Sequence, residues 1–274
     1  MKKLSIIFLG LILAFGFSGP QTTITLKGSD TMVILAQRWA EIYMSKHQGT
    51  TVQVTGGGSG VGISALINGT TDICNASRPM KNSEREKLQQ KYNSPGVEIK
   101  VAKDGLSLYL NDANPVKNLS LEQIKNIYTG KLTNWKEVGG KDKKIIVYGR
   151  ENSSGTYVYL KDNVLDGADF VSSMQSLPGT AAIVNAVVKD KNAIGFGGAA
   201  YAKGIKYAKV KKDANSPAYE PTEANIKSGV YPIARYLYMY TKSKPTGATK
   251  EFIDWVLSSE GQKVVKNVGY FSVR

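Results

Sequence analysis

The chain has 274 residues, 42% of them hydrophobic, with one cysteine, one histidine and a formal net charge of +14. That length suits one large or two medium domains with a real core, and a single cysteine (Cys74) excludes an internal disulfide and a cysteine-based zinc site. The positive balance would draw anions, but the lysines are scattered and no arginine-rich block occurs. The reading is therefore a basic solvated surface with no nucleic-acid partner.

The N-terminus, MKKLSIIFLGLILAFGFSGP, places Lys2 and Lys3 before a short apolar run, Leu4 to Phe17, followed by small residues. Residues 1–19 are expected to be a secretory signal peptide, because the run is short for a bilayer span. No cysteine follows it, so no lipid anchor is expected. The mature chain would start near Pro20 and be periplasmic.

A strand–loop–helix unit then recurs. In TITLKGSDTMVILAQRWAEIYM, Ile24 and Leu26 alternate as in a strand, a Gly-Ser-Asp-Thr turn follows, and Met32, Leu35, Ala36, Trp39 and Tyr43 take helical spacing. VQVTGGGSGVGISALING repeats the plan, with a Val52, Val54 strand, a Gly56–Gly60 loop and a helix ending at Asn68-Gly69. Cys74 reads as a small buried hydrophobe. A strand-like stretch, 105–112, precedes a helix opened by a Ser120/Gln123 capping box, with Ile124, Ile127 and Tyr128 as its buried stripe. Trp135 reads as packing. IIVYGRENSSGTYVYLKD (145–162) is a third strand–loop–helix unit. A second strand-like stretch, 235–242, leads to a C-terminal helical pattern through Phe252, Trp255, Val256, Val264 and Val265. Alternating strands and helices predict an α/β protein. The two isolated apolar strands are read as crossovers between lobe I (20–104 and 236–274) and an inserted lobe II (105–235).

The three loops sit where strands end and helices begin. A helix leaves its first N–H groups unpaired, with partial positive charge there, and an anion satisfies both. Glycine allows close backbone approach, Ser and Thr add donors, and Arg150 offers a two-pronged fork for an oxyanion, or else a surface or interlobe salt bridge. GGGSGVGIS lacks the Gly-Lys-Ser/Thr ending of a nucleotide phosphate loop. The lone histidine, His47, lies far in sequence from every loop serine, so a serine triad is not supported. Metal-ligand clusters are absent from the sequence pattern and no cofactor is expected. The site is built to hold rather than to react, and the chain is not expected to be an enzyme.

GSDTM, GGGSGVGI, TDICNASRPMK, NLSLEQIKNIYTGKLTNW and GRENSSGTY, in that order, resemble the periplasmic phosphate-binding proteins of ABC-type uptake systems over essentially the whole mature chain. The resemblance implies a two-lobed periplasmic-binding-protein fold (class II type), with two crossover strands as hinge. It implies a monomer that holds inorganic phosphate in an interlobe cleft and delivers it to a membrane permease. Carried over residue by residue, the phosphate ligands would be Ser29, Asp30 and Thr31 from the first loop, Gly58, Ser59 and Gly60 from the second, and Arg150, Ser154, Gly155 and Thr156 from the third. Enteric-bacterial members carry an aspartate after the Ala-Ser of the NAS segment, where it accepts a hydrogen bond from protonated phosphate. Here Arg78 stands there, either contacting the anion or neutralising Asp30. Asp30 is the candidate replacement acceptor, with helix capping as its alternative role. Another tetrahedral oxyanion (sulfate, molybdate or tungstate) and a secreted phosphatase stay open as alternatives.

Overall fold

A computed structural model describes residues 21–274; the expected signal peptide lies outside the described residues. The first part of the chain forms β1 (Thr22–Gly28), a 3-10 turn (Asp30–Met32), α1 (Val33–Lys46), β2 (Thr50–Thr55), α2 (Ser59–Asn68), β3 (Ile73–Ala76), α3 (Asn82–Tyr92) and β4 (Val97–Leu110). The middle forms β5 (Asn118–Ser120), α4 (Leu121–Tyr128), β6 (Ile146–Arg150), α5 (Gly155–Asn163), β7 (Gln175–Leu177), α6 (Thr180–Lys189), β8 (Ala193–Gly198), β9 (Lys206–Lys211), β10 (Ala218–Tyr219) and α7 (Glu223–Lys227). The chain closes with β11 (Ala234–Thr241), α8 (Gly247–Leu257) and α9 (Ser259–Val268).

The main sheet path runs β2-β1-β3-β11-β4-β8-β6-β7. β1 pairs parallel with β2 and β3, and β11 inserts antiparallel between β3 and β4. β4 serves both lobes. Its Val97–Gly105 part pairs with β11, and Leu106–Leu110 pairs with β8. In the second lobe β6 runs parallel to β8 and β7.

Each lobe buries both faces of its sheet. One cluster joins Ile24, Leu26, Leu35, Trp39, Val101, Leu237, Met239, Phe252 and Val265. The opposite face holds Ile63, Leu66, Cys74, Met80, Leu88 and Tyr240. In the second lobe Leu106, Leu108, Leu110, Ile124, Ile127, Tyr128, Trp135 and Phe196 pack together, and Tyr109, Ile183 and Val187 cover the other side. Each fully buried Leu, Ile or Phe stabilises by about 1.5–3 kcal/mol. The cores change over between Ala102 and Leu106 on β4, and between Ile233 and Leu237 around the start of β11.

Local signals act as their chemistry requires. Gly69 takes φ 77° and its N–H caps α2 on Ala65 and Leu66 carbonyls. Ser120 and Gln123 form the capping box of α4. Trp135 is buried and its indole N–H donates to the Asn192 carbonyl at 2.8 Å. Two boundaries differ from the sequence expectation. β4 starts at Val97: VEIKV alternates apolar and charged residues as a half-exposed strand does, and the strand continues unbroken into the apolar stretch that begins at residue 105. The C-terminal pattern is two helices, α8 and α9. Ser258 breaks it by capping α9, its hydroxyl accepting from Gly261 N at 3.3 Å.

Candidate anion-binding site

The three loops are fixed first by backbone bonds. At the tip of β1, Ser29 N donates to Asn75 O at 2.8 Å, which ties this loop to β3. Gly58 N donates to Gly28 O at 3.0 Å and Gly57 N to Asp30 Oδ1 at 2.9 Å, locking the second loop on the first. Gly58 has φ +93°, and a Cβ there would stand 2.6 Å from Ser153 O, so only glycine fits. In the third loop Ser154 caps α5, its Oγ accepting from Thr156 N at 3.2 Å and Tyr157 N at 3.3 Å.

These loops converge from both lobes. Thr31 Oγ1 and Thr156 Oγ1 are 2.9 Å apart. Ser29 Oγ donates to Ser77 Oγ at 2.9 Å, and Ser59 Oγ accepts from Ser77 N at 3.0 Å. Gly155 lies against the same group: a Cβ there would be 2.3 Å from Ser59 Oγ and 2.6 Å from Ser77 Oγ. At the rim Gly60 N donates to Ser153 O at 2.9 Å, and Ser153 Oγ donates to Gly57 O at 3.2 Å. Ser29, Thr31, Ser59, Ser77 and Thr156 are all at most 2% exposed, so an anion held there would be shielded from water and its electrostatic contacts strengthened.

The charged residues sort differently from their sequence positions. Arg150 is 1% exposed and bridges the lobes: its Nη2 donates to Asp30 Oδ2 at 2.6 Å and to Glu151 Oε1 at 2.8 Å. Its Nη1 donates to Thr180 Oγ1 at 3.2 Å. Burial alone would favour its neutral form, but Glu151 and Asp30 outweigh that and raise its pKa. Asp30 does not cap α1, whose cap position is Met32; it links Gly57 N and Arg150. Tyr201, from the second lobe, donates to the Asp30 carbonyl at 2.9 Å, and burial, then Asp30, push its hydroxyl up to about 12. Arg78 turns to Glu84, with a two-pronged pair at 2.8 and 2.7 Å, and to the Pro79 carbonyl. The structure thus brings together Ser29, Thr31, Ser59, Gly155 and Thr156, with Gly58, Gly60 and Ser154 shaping their loops. It sets Asp30 and Arg150 beside them as a pair and leaves Arg78 in a pair of its own.

Three residues at this place escaped sequence reasoning: Ser77, Asp104 and Arg235. Arg235 Nε and Nη2 donate to Asp104 Oδ2 at 3.0 and 2.9 Å, Nη2 to Thr156 Oγ1 at 3.0 Å, and Nη1 to Ser77 O at 3.1 Å. The signals were present. Ser77 lies within the NAS segment, and Asp104 and Arg235 are charges set at the start of the two apolar crossover stretches. A groove of about 490 Å³ opens on the hinge side, walled by Arg78, Tyr159, Arg235, Tyr236 and Tyr238. His47 is remote, at the far end of α1, stacked on Tyr43 with centroids 3.8 Å apart; the helix separates it from the cluster by about 20 Å. Cys74 is buried, which raises its thiol pKa.

The chain as a whole has known relatives. A family model described as a PBP superfamily domain matches residues 17–260. The phosphate-binding protein PstS of Pseudomonas aeruginosa is 31% identical over 270 residues, covering 92% of this chain and 84% of that one. The chain belongs to the PstS family of phosphate-binding proteins. Its Staphylococcus aureus member is 35% identical over 253 residues, covering 89% and 76% of the two chains. A Clostridium perfringens crystal structure, assigned to the substrate-binding protein of a phosphate ABC transporter and solved with bound phosphate, superposes with a TM-score of 0.84. It is 31% identical, and the match covers 92% of this chain and all (100%) of that one. The family's two-lobed fold is therefore the fold of this chain.

Proposed function

We propose that this protein captures inorganic phosphate between its two lobes, outside the cytoplasm, and delivers it to an ABC-type membrane permease. The observation that carries this reading is the contact of hydroxyls from both lobes, Thr31 against Thr156 at 2.9 Å, at the mouths of helices. Hydroxyls that now bond one another can turn their hydrogens to an oxyanion, and the starts of α2 and α5 add backbone N–H groups. Ser29, Thr31, Ser59, Ser77, Gly155 and Thr156 form the clamp. Gly58 and Gly60 let the second loop approach, Ser154 orients α5, and the Asp30–Arg150 pair latches the lobes. Arg78 serves lobe I through Glu84. Among the described residues no helix is long and apolar enough to cross a membrane. Export rests on the leader read in residues 1–19, and a monomer suffices because one chain supplies both jaws.

Micromolar capture needs about 8 kcal/mol, and charge-assisted hydrogen bonds contribute roughly 1.5–3 kcal/mol each. A handful, less desolvation and closure, reaches that figure without chemistry. Calorimetry on phosphate-stripped mature protein should show one phosphate per chain at micromolar or tighter affinity, with sulfate and molybdate far weaker. A preference for sulfate or molybdate, or turnover of a phosphomonoester, would replace this reading.

A further inference from the structure

We propose that Asp104 and Arg235, facing each other on the two hinge strands, are the charged pair that selects the anion, with Asp104 accepting the anion's proton and Arg235 donating to its oxygens. The inference rests on the phosphate reading of the cleft. Asp104 and Arg235 are register partners on β4 and β11. Asp104 is the only buried acidic side chain among the described residues, at 0% exposure. It is not a surface charge drawn into a chance contact, and a buried charge persists only when its partners are specific.

The hydrogen-bond inventory leaves it an opening. An ionised carboxylate offers about four acceptor positions. Arg235 takes two on Oδ2, and Ala199 N takes one on Oδ1 at 2.9 Å. The remaining position is on Oδ1. A Cβ at Gly198 would lie 3.1 Å from that oxygen and 3.0 Å from both the Thr31 methyl and the Tyr270 hydroxyl, so Oδ1 lies in the neighbourhood of Thr31, whose hydroxyl belongs to the cluster. Arg235 already touches the cluster on both sides, through Thr156 of one lobe and the Ser77 carbonyl of the other. The other charges near the cleft are spoken for: Asp30 by Gly57 N and Arg150, Arg150 by two carboxylates and Thr180, Arg78 by Glu84. Phosphate keeps a proton at neutral pH and can donate it to Asp104. Sulfate has none, and its oxygens would face the carboxylate directly.

The test is titration of purified mature protein with phosphate, sulfate and monofluorophosphate, a dianion shaped like hydrogen phosphate but without the donor. Wild type should bind monofluorophosphate about as weakly as sulfate. Asp104→Asn should lower the phosphate-over-sulfate ratio about tenfold or more, because sites built around one hydrogen bond reject analogues lacking it by large factors. Arg235→Lys should weaken both anions together with the ratio kept. An unchanged ratio in folded Asp104→Asn, or no loss of affinity in Arg235→Lys, overturns the proposal. If Asp104→Asn does not fold, wild type and Asp30→Asn decide: equal binding of monofluorophosphate and phosphate, or a collapsed ratio in Asp30→Asn, overturns it. Absence of phosphate binding by wild type sinks the phosphate reading itself, and this inference with it.

Discussion

Gly155 shows how much one missing carbon can decide. Its two neighbours, Ser59 Oγ and Ser77 Oγ, stand where a Cβ would need to be, at 2.3 and 2.6 Å, and both belong to the opposite lobe. Neither can retreat freely, because Ser59 accepts from Ser77 N and Ser77 accepts from Ser29 Oγ. Gly155→Ala should fold with a melting temperature close to wild type and yet bind phosphate about five- to a hundredfold more weakly, since overpacking costs roughly 1–3 kcal/mol and here falls on closure. Calorimetry beside a thermal melt checks it; near-normal affinity would mean that the jaws do not meet at Gly155.

Two elements carry their own predictions. Ser154 caps α5 through two backbone N–H groups, so Ser154→Ala should cost about 1 kcal/mol of stability even without phosphate, read as a shifted urea midpoint. At α3, Glu84 accepts from both prongs of Arg78 and from Lys81 N at 2.7 Å. Burial pushes the Glu84 carboxyl up, but the Arg78 hydrogen bond and the Lys81 N–H outweigh it and leave the pKa lowered. A lowered folded-state pKa gives stability that is present above the unfolded value and lost as pH falls through the folded one. Stability should therefore drop on acidification below about pH 4.5, and Glu84→Gln should flatten that drop while costing roughly 1–3 kcal/mol at neutral pH. Melts from neutral to acid pH on both proteins test this, and parallel curves would remove Glu84 from the effect.

At the scale of the whole molecule the lobes are joined by two strands and by side chains that cross the cleft. Arg150 and Asp30 form the charged part of that crossing. Loss of the pair should shift the population toward open forms, and apparent affinity scales with the fraction that is closed. Asp30→Asn should therefore weaken phosphate and sulfate by the same factor and enlarge the phosphate-free protein in solution scattering, with phosphate restoring the compact form. Unequal weakening would show a direct role in recognition instead. In wild type, phosphate at about a hundred times its dissociation constant adds roughly 2.7 kcal/mol, a rise of about 5–10 °C for a chain of this size.

The sequence by itself determined the units and their punctuation. Ile24 and Leu26 alternate in β1, the Leu35–Trp39–Tyr43 stripe is the buried face of α1, and Gly69 and Ser120 stop and start helices, because these depend on neighbours a few residues away. It also marked Ser29, Thr31, Ser59 and Thr156 among the hydroxyls that meet, since donors at helix mouths are a local pattern, but not Ser77, which follows a strand and opens no helix. Only the tertiary structure decided the charges. Arg78, Arg150 and Arg235 look alike as residues, but Glu84 lies six positions from the first, Asp30 a hundred and twenty from the second and Asp104 a hundred and thirty-one from the third. A buried charge is settled by whichever opposite charge the fold brings to it, and in this chain two of the three partners arrive from distant parts of the sequence.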